Sequence, residues 1–165
     1  MVLPTRTERF GYRHGDINFK KIPHPGYDLN SGPTPDADVG QPVVAPEDGV
    51  VVFARQTGGT WGGLVVIRGK DYAHRLGHVD KIRVKVGDAV KEGQQVAVIG
   101  KFPGMASHLH YDIVRPEFIQ KLTKDLKAPY TRWDFWHVNI PHVFKDMYVD
   151  PAQVQPELKK ILNKR

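Results

Sequence analysis

The sequence predicts a mainly β protein, an antiparallel sheet or sandwich with short helices confined to its last third. Two observations predict it. Between residues 41 and 114, short β-branched runs alternate with glycine-bearing turns, the pattern of neighbouring strands joined tightly. Helix signals enter only at Pro116 and Pro156, since proline suits the first position of a helix.

Residues 1–40 are rich in Pro, Gly, Asp and Asn and read as ordered loop. Strands are then expected at 43–45, 49–54, 64–68, 72–79, 82–86, 95–99 and 109–114. The separators include Gly58-Gly59, Gly62-Gly63, Gly69-Lys70, Gly87-Asp88 and Gly100. A helix from Pro116 would place Phe118, Ile119, Leu122 and Leu126 on one face. Residues 128–149 are irregular and aromatic, with Trp133, Phe135, Trp136 and Tyr148 among them. A short last helix from Pro156 would carry Leu158, Ile161 and Leu162 on one side and lysines on the other. No internal repeat or linker stands out, so a single domain over 1–165 is expected.

Composition narrows the function. Hydrophobic residues make up 40% and charged residues 25% of 165, a globular balance. No apolar run approaches the roughly 20 residues that span a bilayer. The opening Met1-Val2-Leu3-Pro4-Thr5-Arg6 has no apolar stretch of signal-peptide length. The expectation is a chain held in the cytoplasm until released, or a secreted one whose leader was removed. With no cysteine, disulfides, thiolate chemistry and cysteine-bearing zinc sites are excluded. Any metal must be held by histidine and carboxylate, and there are 8 histidines. The net charge of +6 and pI near 9.5 favour polyanionic partners. The cations are scattered apart from Lys159, Lys160, Lys164 and Arg165, and no nucleic-acid-binding motif is present, so nucleic acid is not expected as a partner.

Three fragments carry candidate chemistry. In Ser107-His108-Leu109-His110-Tyr111-Asp112, strand alternation places His108, His110 and Asp112 on one face. Two imidazoles and a carboxylate there need partners if buried, and a metal would satisfy one imidazole and leave the other for proton transfer. A solvated polar face is the plainer alternative. In His24-Pro25-Gly26-Tyr27-Asp28, a Pro-Gly turn lets His24 and Asp28 converge, and this nitrogen and oxygen pair suits zinc. Local backbone hydrogen bonding by Asp28 is the alternative. In Tyr72-Ala73-His74-Arg75-Leu76-Gly77-His78, strand alternation puts His74 and His78 on one face with Tyr72 beside them. Either histidine could face a cleft or be surface-polar. Together the fragments supply two histidines and a carboxylate with spare histidines nearby, as a catalytic zinc with an open fourth position requires.

Taken in chain order over about residues 10–114, the fragments resemble the lysostaphin/LytM-type zinc endopeptidases, a peptidoglycan-cleaving family built on a curved antiparallel sheet. Phe10-Gly11-Tyr12-Arg13 is similar to the family's lead-in, and His24 to Asp28 matches its HxxxD motif. "PVVAPEDGVVVFA", "VKVGDAVKEGQQVAVIG" and "SHLHYDI" resemble its strand pair, return strand and HxH motif. Tyr148-Val149-Asp150-Pro151 resembles its closing segment, and residues 115–147 are an insertion. The resemblance implies that His24, Asp28 and His110 hold one Zn2+ per chain. It implies His108 as general base or proton shuttle and His78 as oxyanion stabiliser. Asp112 would orient a ligand from behind, where the family usually has Glu, and Leu76-Gly77 stands where an aromatic residue and Ala are common. Trp61, in a loop that walls the groove in the family, is expected against substrate, with Tyr72 and His74.

The implied activity is hydrolysis of peptide bonds in bacterial peptidoglycan, in the setting of a monomeric phage-type endolysin that lyses its host. The basic C-terminal segment would hold it near anionic envelope polymers or lipid. A non-catalytic murein-binding or regulatory module of the same fold is the rival. "VKVGDAVKEGQQV" also resembles the hairpins of biotinyl or lipoyl carriers, which need a modified lysine and not the histidine set.

Overall fold

The computed structural model describes residues 13–14, 22–23, 26–30, 33–58, 62–118, 148–156, 158 and 160. In chain order the strands among them are β1 (Arg13–His14), β2 (Ile22–Pro23), β3 (Gly26–Leu29), β4 (Pro42–Val44), β5 (Gly49–Gly58) and β6 (Gly62–Arg68). They continue with β7 (Ala73–Asp80), β8 (Ala89–Val90), β9 (Gln95–Ile99), β10 (Leu109–Val114) and β11 (Tyr148–Val149), followed by helix α1 (Pro151–Val154). All pairings are antiparallel. β1 and β2 form a separate ribbon. The others make one sheet, with the path β11-β10-β7-β6-β5-β8, β3 on β10, and β9 joining β4 to β7. The expected antiparallel β class is the observed one.

The core lies on one face of this sheet. Tyr27 and Leu29 of β3, Val65 and Ile67 of β6, Leu76 of β7, and Leu109, Tyr111 and Ile113 of β10 all enter it. Each such side chain contributes about 1.5–3 kcal/mol on burial. β10 organises the sheet. Along one edge it pairs first with β3, through Leu109 to Asp112, and then with β11, through Ile113 and Val114. Its other edge pairs with β7.

Two expectations, for residues 26–29 and 82–86, are corrected. Residues 26–29 are a strand and not part of a loop or turn, because their backbone completes the edge of β10. Residues 82–86 are not a strand. Lys81 (φ 45°) turns the chain away after β7, and of the segment's amides Arg83 bonds Val96 O at 2.8 Å. The alternation that suggested a strand survives as burial: Ile82 and Val84 pack on the core while Lys81, Arg83 and Lys85 are exposed. Pro116 opens a single 3-10 turn, Pro116–Phe118; the rest of the expected helix, with Ile119, Leu122, Leu126 and the aromatic segment to residue 147, lies outside the described residues. Residues 156, 158 and 160 are helical, so the helix expected from Pro156 is present, and before it stands α1, which was not expected. Asp150 caps α1, accepting from Ala152 N at 2.9 Å, a bond that satisfies one otherwise orphaned amide. Leu158 is buried in the core.

Candidate active site

Register builds the site. Asp28 lies opposite His110, and Gly26 opposite Asp112, across β3 and β10. On the other edge Gly77 faces His110 and Arg75 faces Asp112. Directly opposed residues point to the same side of a sheet. Asp28, His110, Asp112 and Arg75 therefore share the face away from Tyr111 and Leu76. Gly26 makes this approach possible, since a Cβ there would stand 2.1 Å from Tyr111 O and 2.7 Å from Asp112 Cβ.

His78 arrives by a different device. Counting along β7, it should share the core side with Leu76. However, the register against β6 shifts between Gly63 and Leu64, which pair with Val79 and Gly77 and leave His78 as the extra residue. Its φ of 60° is the left-handed conformation of a bulge. At the same point the edge partner of β7 changes from β10, at Gly77, to β9, at Val79. The bulge turns the His78 ring towards the site. It meets the His108 ring edge-on with centroids 4.6 Å apart, and the His110 ring at 5.9 Å.

Two of these imidazoles converge on Asp28. Its Oδ1 lies 3.0 Å from His110 Nδ1 and 3.6 Å from His108 Nε2. On the far side of His110, Nε2 meets Asp112 Oδ2 at 3.0 Å. Asp112 is in turn held by Arg75, whose Nε and Nη2 donate at 2.6 and 2.7 Å, and Arg75 Nη2 also donates to Tyr148 Oη at 3.1 Å. His108 Nδ1 donates to Ala106 O at 2.8 Å; a carbonyl only accepts, so in the neutral ring Nε2 is the basic nitrogen, and it faces Asp28.

Burial would depress the His110 pKa, but hydrogen bonds and charge from Asp112 and Asp28 outweigh it and raise it to about 9. Burial likewise pushes Asp112 up, while the Arg75 charge and the His110 bond bring its carboxyl below the ordinary range. Arg75 is held more firmly charged, the Asp112 charge overcoming its desolvation. Tyr148 is pushed to about 12, mainly by burial.

Among the described residues, no group of three His, Cys, Asp or Glu side chains stands in metal-holding geometry. His24, the remaining member of the sequence-derived ligand set, lies outside the described residues, as does Trp61. The donors that are described fit a divalent ion. A carboxylate oxygen and an imidazole nitrogen face one another, and the second nitrogen of that imidazole is bound by another carboxylate, as in metal-ligating histidines. A proton on His110 Nδ1 and a cation would occupy the same place.

Asp28, His78, His108, His110 and Asp112 are thus brought together, and two expected substrate residues are not. His74 is buried on the core side of the sheet, between Glu47 (Nε2 to Oε1, 2.6 Å) and Tyr111 (Nδ1 to Oη, 2.8 Å). It was expected to share a face with His78, and the bulge separates them. Tyr72 packs on the core at the far end of β7, roughly 20 Å along the strand from His78. Sequence reasoning missed Arg75 and Tyr148. The available signal was an Arg in the interior of one strand and an Asp in the interior of another, since buried charges require each other.

The chain matches the model of peptidase family M23 over residues 23–122. It is 33% identical over 116 residues to the peptidoglycan DD-endopeptidase ShyB of Vibrio cholerae, covering 69% of this chain and 26% of ShyB. Over 75 residues it is 33% identical to the murein hydrolase activator NlpD of Escherichia coli, covering 45% of this chain and 20% of NlpD. It therefore spans about a quarter or less of these relatives. Among solved structures, a zinc-containing peptidase from Vibrio cholerae superposes with a TM-score of 0.52 at 32% identity, covering 64% of this chain and 32% of that one. The catalytic domain of lysostaphin from Staphylococcus simulans superposes with a TM-score of 0.55 at 26% identity, covering 67% of this chain and 80% of that domain. With the matched segment covering more than half its length and containing Asp28, His78, His108, His110 and Asp112, the chain belongs to peptidase family M23.

Proposed function

We propose that the chain is a zinc-dependent endopeptidase that hydrolyses peptide bonds of bacterial peptidoglycan. The observation that carries this reading is Asp28 Oδ1 facing His110 Nδ1 at 3.0 Å, with His108 and His78 grouped around them. His24, Asp28 and His110 would hold one Zn2+ per chain. When bound, such an ion polarises a carbonyl and lowers the pKa of water from ~15.7 towards ~7.

The chain's own residues supply the rest. His108 presents Nε2 as a base because Nδ1 is committed to Ala106 O. It can take a proton from the attacking water and return it to the leaving amine. His78, aimed by its bulge, can donate a hydrogen bond to the oxyanion as it develops. Asp112 keeps His110 oriented through Nε2.

The setting we propose is a monomeric phage-type endolysin, cytoplasmic in its host before reaching the wall, or a secreted hydrolase. The basic C-terminal residues would draw it to anionic envelope polymers or lipid. The match to the activator NlpD supports a second reading, a murein-binding or regulatory module without cleavage. Digestion of purified peptidoglycan decides between them. New amines and shortened peptides in the mass spectrum, lost on His108→Ala, support the endopeptidase; binding with no new amines supports the module.

A further inference from the structure

Arg75 is buried in β7 with its guanidinium turned to Asp112. A pair of buried charges is not needed to hold two strands together. Desolvation offsets most of the attraction, and apolar residues of like size often serve as well. What the pair adds is geometry. Two parallel bonds, Nε to Oδ1 and Nη2 to Oδ2, fix the plane of the Asp112 carboxylate. Nη2 also donates to Tyr148 Oη, so the guanidinium is itself held from β11, and it lies 5.3 Å from the Tyr148 ring centre.

The clamped carboxylate meets His110 Nε2 at 3.0 Å. Both carboxylates accept and neither donates, but Asp112 is fully buried whereas Asp28 reaches water, so a ring with one hydrogen keeps it on Nε2. In the neutral ring, Nδ1 then has its lone pair directed towards Asp28. We propose that Arg75 is a positioning residue: by clamping Asp112 it fixes His110 as the Nε2–H tautomer and aims Nδ1 at the metal. Tyr148 extends the clamp to the closing strand. The proposal rests on the reading of Asp28 and His110 as metal donors, but the tautomer can be measured without metal.

Arg75→Met keeps the volume and removes the clamp. In the metal-free protein, at a pH where the His110 ring signals no longer move with pH, the ring 15N shifts report the tautomer. The expected result is Nε2–H alone in the wild type and a mixture in Arg75→Met. An Nδ1–H ring in the wild type, or an unchanged single tautomer in the folded variant, overturns the proposal. Co2+ titration is the second readout. Arg75→Met should bind the ion 10–100-fold more weakly, roughly the loss seen when a ligand's supporting partner is removed. A merely structural role would lower the unfolding midpoint and leave tautomer and affinity alone. Equal affinity in wild type and variant defeats the clamp. A wild type that takes up no Co2+ at all defeats instead the reading of the centre.

Arg75→Met leaves Asp112 as a stranded charge, and the variant can fail to fold for that reason. Arg75→Met/Asp112→Asn strands none. An Asn amide can accept from Nε2–H or donate to a bare Nε2, so the tautomer should again be mixed and Co2+ bound more weakly. A single Nε2–H ring with full Co2+ affinity in that variant overturns the proposal.

Discussion

His74 and His78 lie on opposite faces of the sheet although both belong to β7. His74 is enclosed between Glu47 and Tyr111 on the core side, and His78 meets His108 on the other. The bulge at His78 separates them. Its left-handed backbone costs roughly 1–2 kcal/mol for a residue with a Cβ, and that strain is retained at the point where the ring must be aimed.

That strain predicts an inversion of the usual order of substitutions. Glycine normally weakens a strand relative to alanine, but at position 78 it relieves the positive φ. His78→Gly should therefore unfold at a higher urea midpoint than His78→Ala, by about 1 kcal/mol, while both lose peptidoglycan cleavage by about 10²–10³-fold. If His78→Ala is the more stable, the bulge conformation is not the native one.

His74 predicts a pH dependence with a definite sign. Burial holds its pKa below 6.5, outweighing the bond and charge of Glu47 and the charge of Asp112. The folded state thus favours the neutral ring more than the unfolded state does. The contribution is fully present above pH 6.5 and is lost as the pH falls below it towards the depressed folded value. His74→Gln should be less stable than wild type at pH 8 yet lose less of its stability between pH 7 and pH 5. Parallel denaturation midpoints for the two proteins across that range would refute this account.

The parts of the site that follow local rules were legible in the sequence. His110 and Asp112 share a face because alternation along β10 is unbroken, and HxxxD places Asp28 opposite them once β3 is paired. The parts that depend on register were hidden. Nothing in Tyr72-Ala73-His74-Arg75-Leu76-Gly77-His78 announces that one residue bulges, so His74 was grouped with the wrong partners. Arg75 and Asp112 are far apart in sequence, and only the β7–β10 register joins them. β3 escaped notice because it is short and begins with glycine after a proline, both turn signals. The segment 82–86 misled in the other direction, since its alternation reflects packing on a core without a strand partner along its length.

Gly26 should be the least replaceable position on β3. Its φ is not left-handed, so backbone freedom is not the reason. A methyl there would stand 2.1 Å from the carbonyl oxygen of Tyr111, a backbone atom that cannot swing aside. Gly26→Ala must push β3 off β10 and move Asp28 with it. The expected loss is about 2–4 kcal/mol in urea unfolding. An Ala variant within ~0.5 kcal/mol of wild type would mean that the two strands do not approach as described.

Asp28→Asn separates metal holding from folding. The amide keeps the size of the carboxylate and an oxygen for a hydrogen bond from His110, and the position is only part-buried, so the unfolding midpoint should change by no more than ~1 kcal/mol. The charge is lost, and with it the hard anionic donor that suits a divalent ion. Bound zinc should fall from about one per chain to below ~0.1, and release of new amines from peptidoglycan by ~10³-fold or more. Stripping the wild type with a chelator and returning Zn2+ should restore cleavage, whereas the same treatment of Asp28→Asn should not. Full cleavage by the folded Asn variant would remove the metal from the reaction and leave His108 and His78 without the centre they are grouped around.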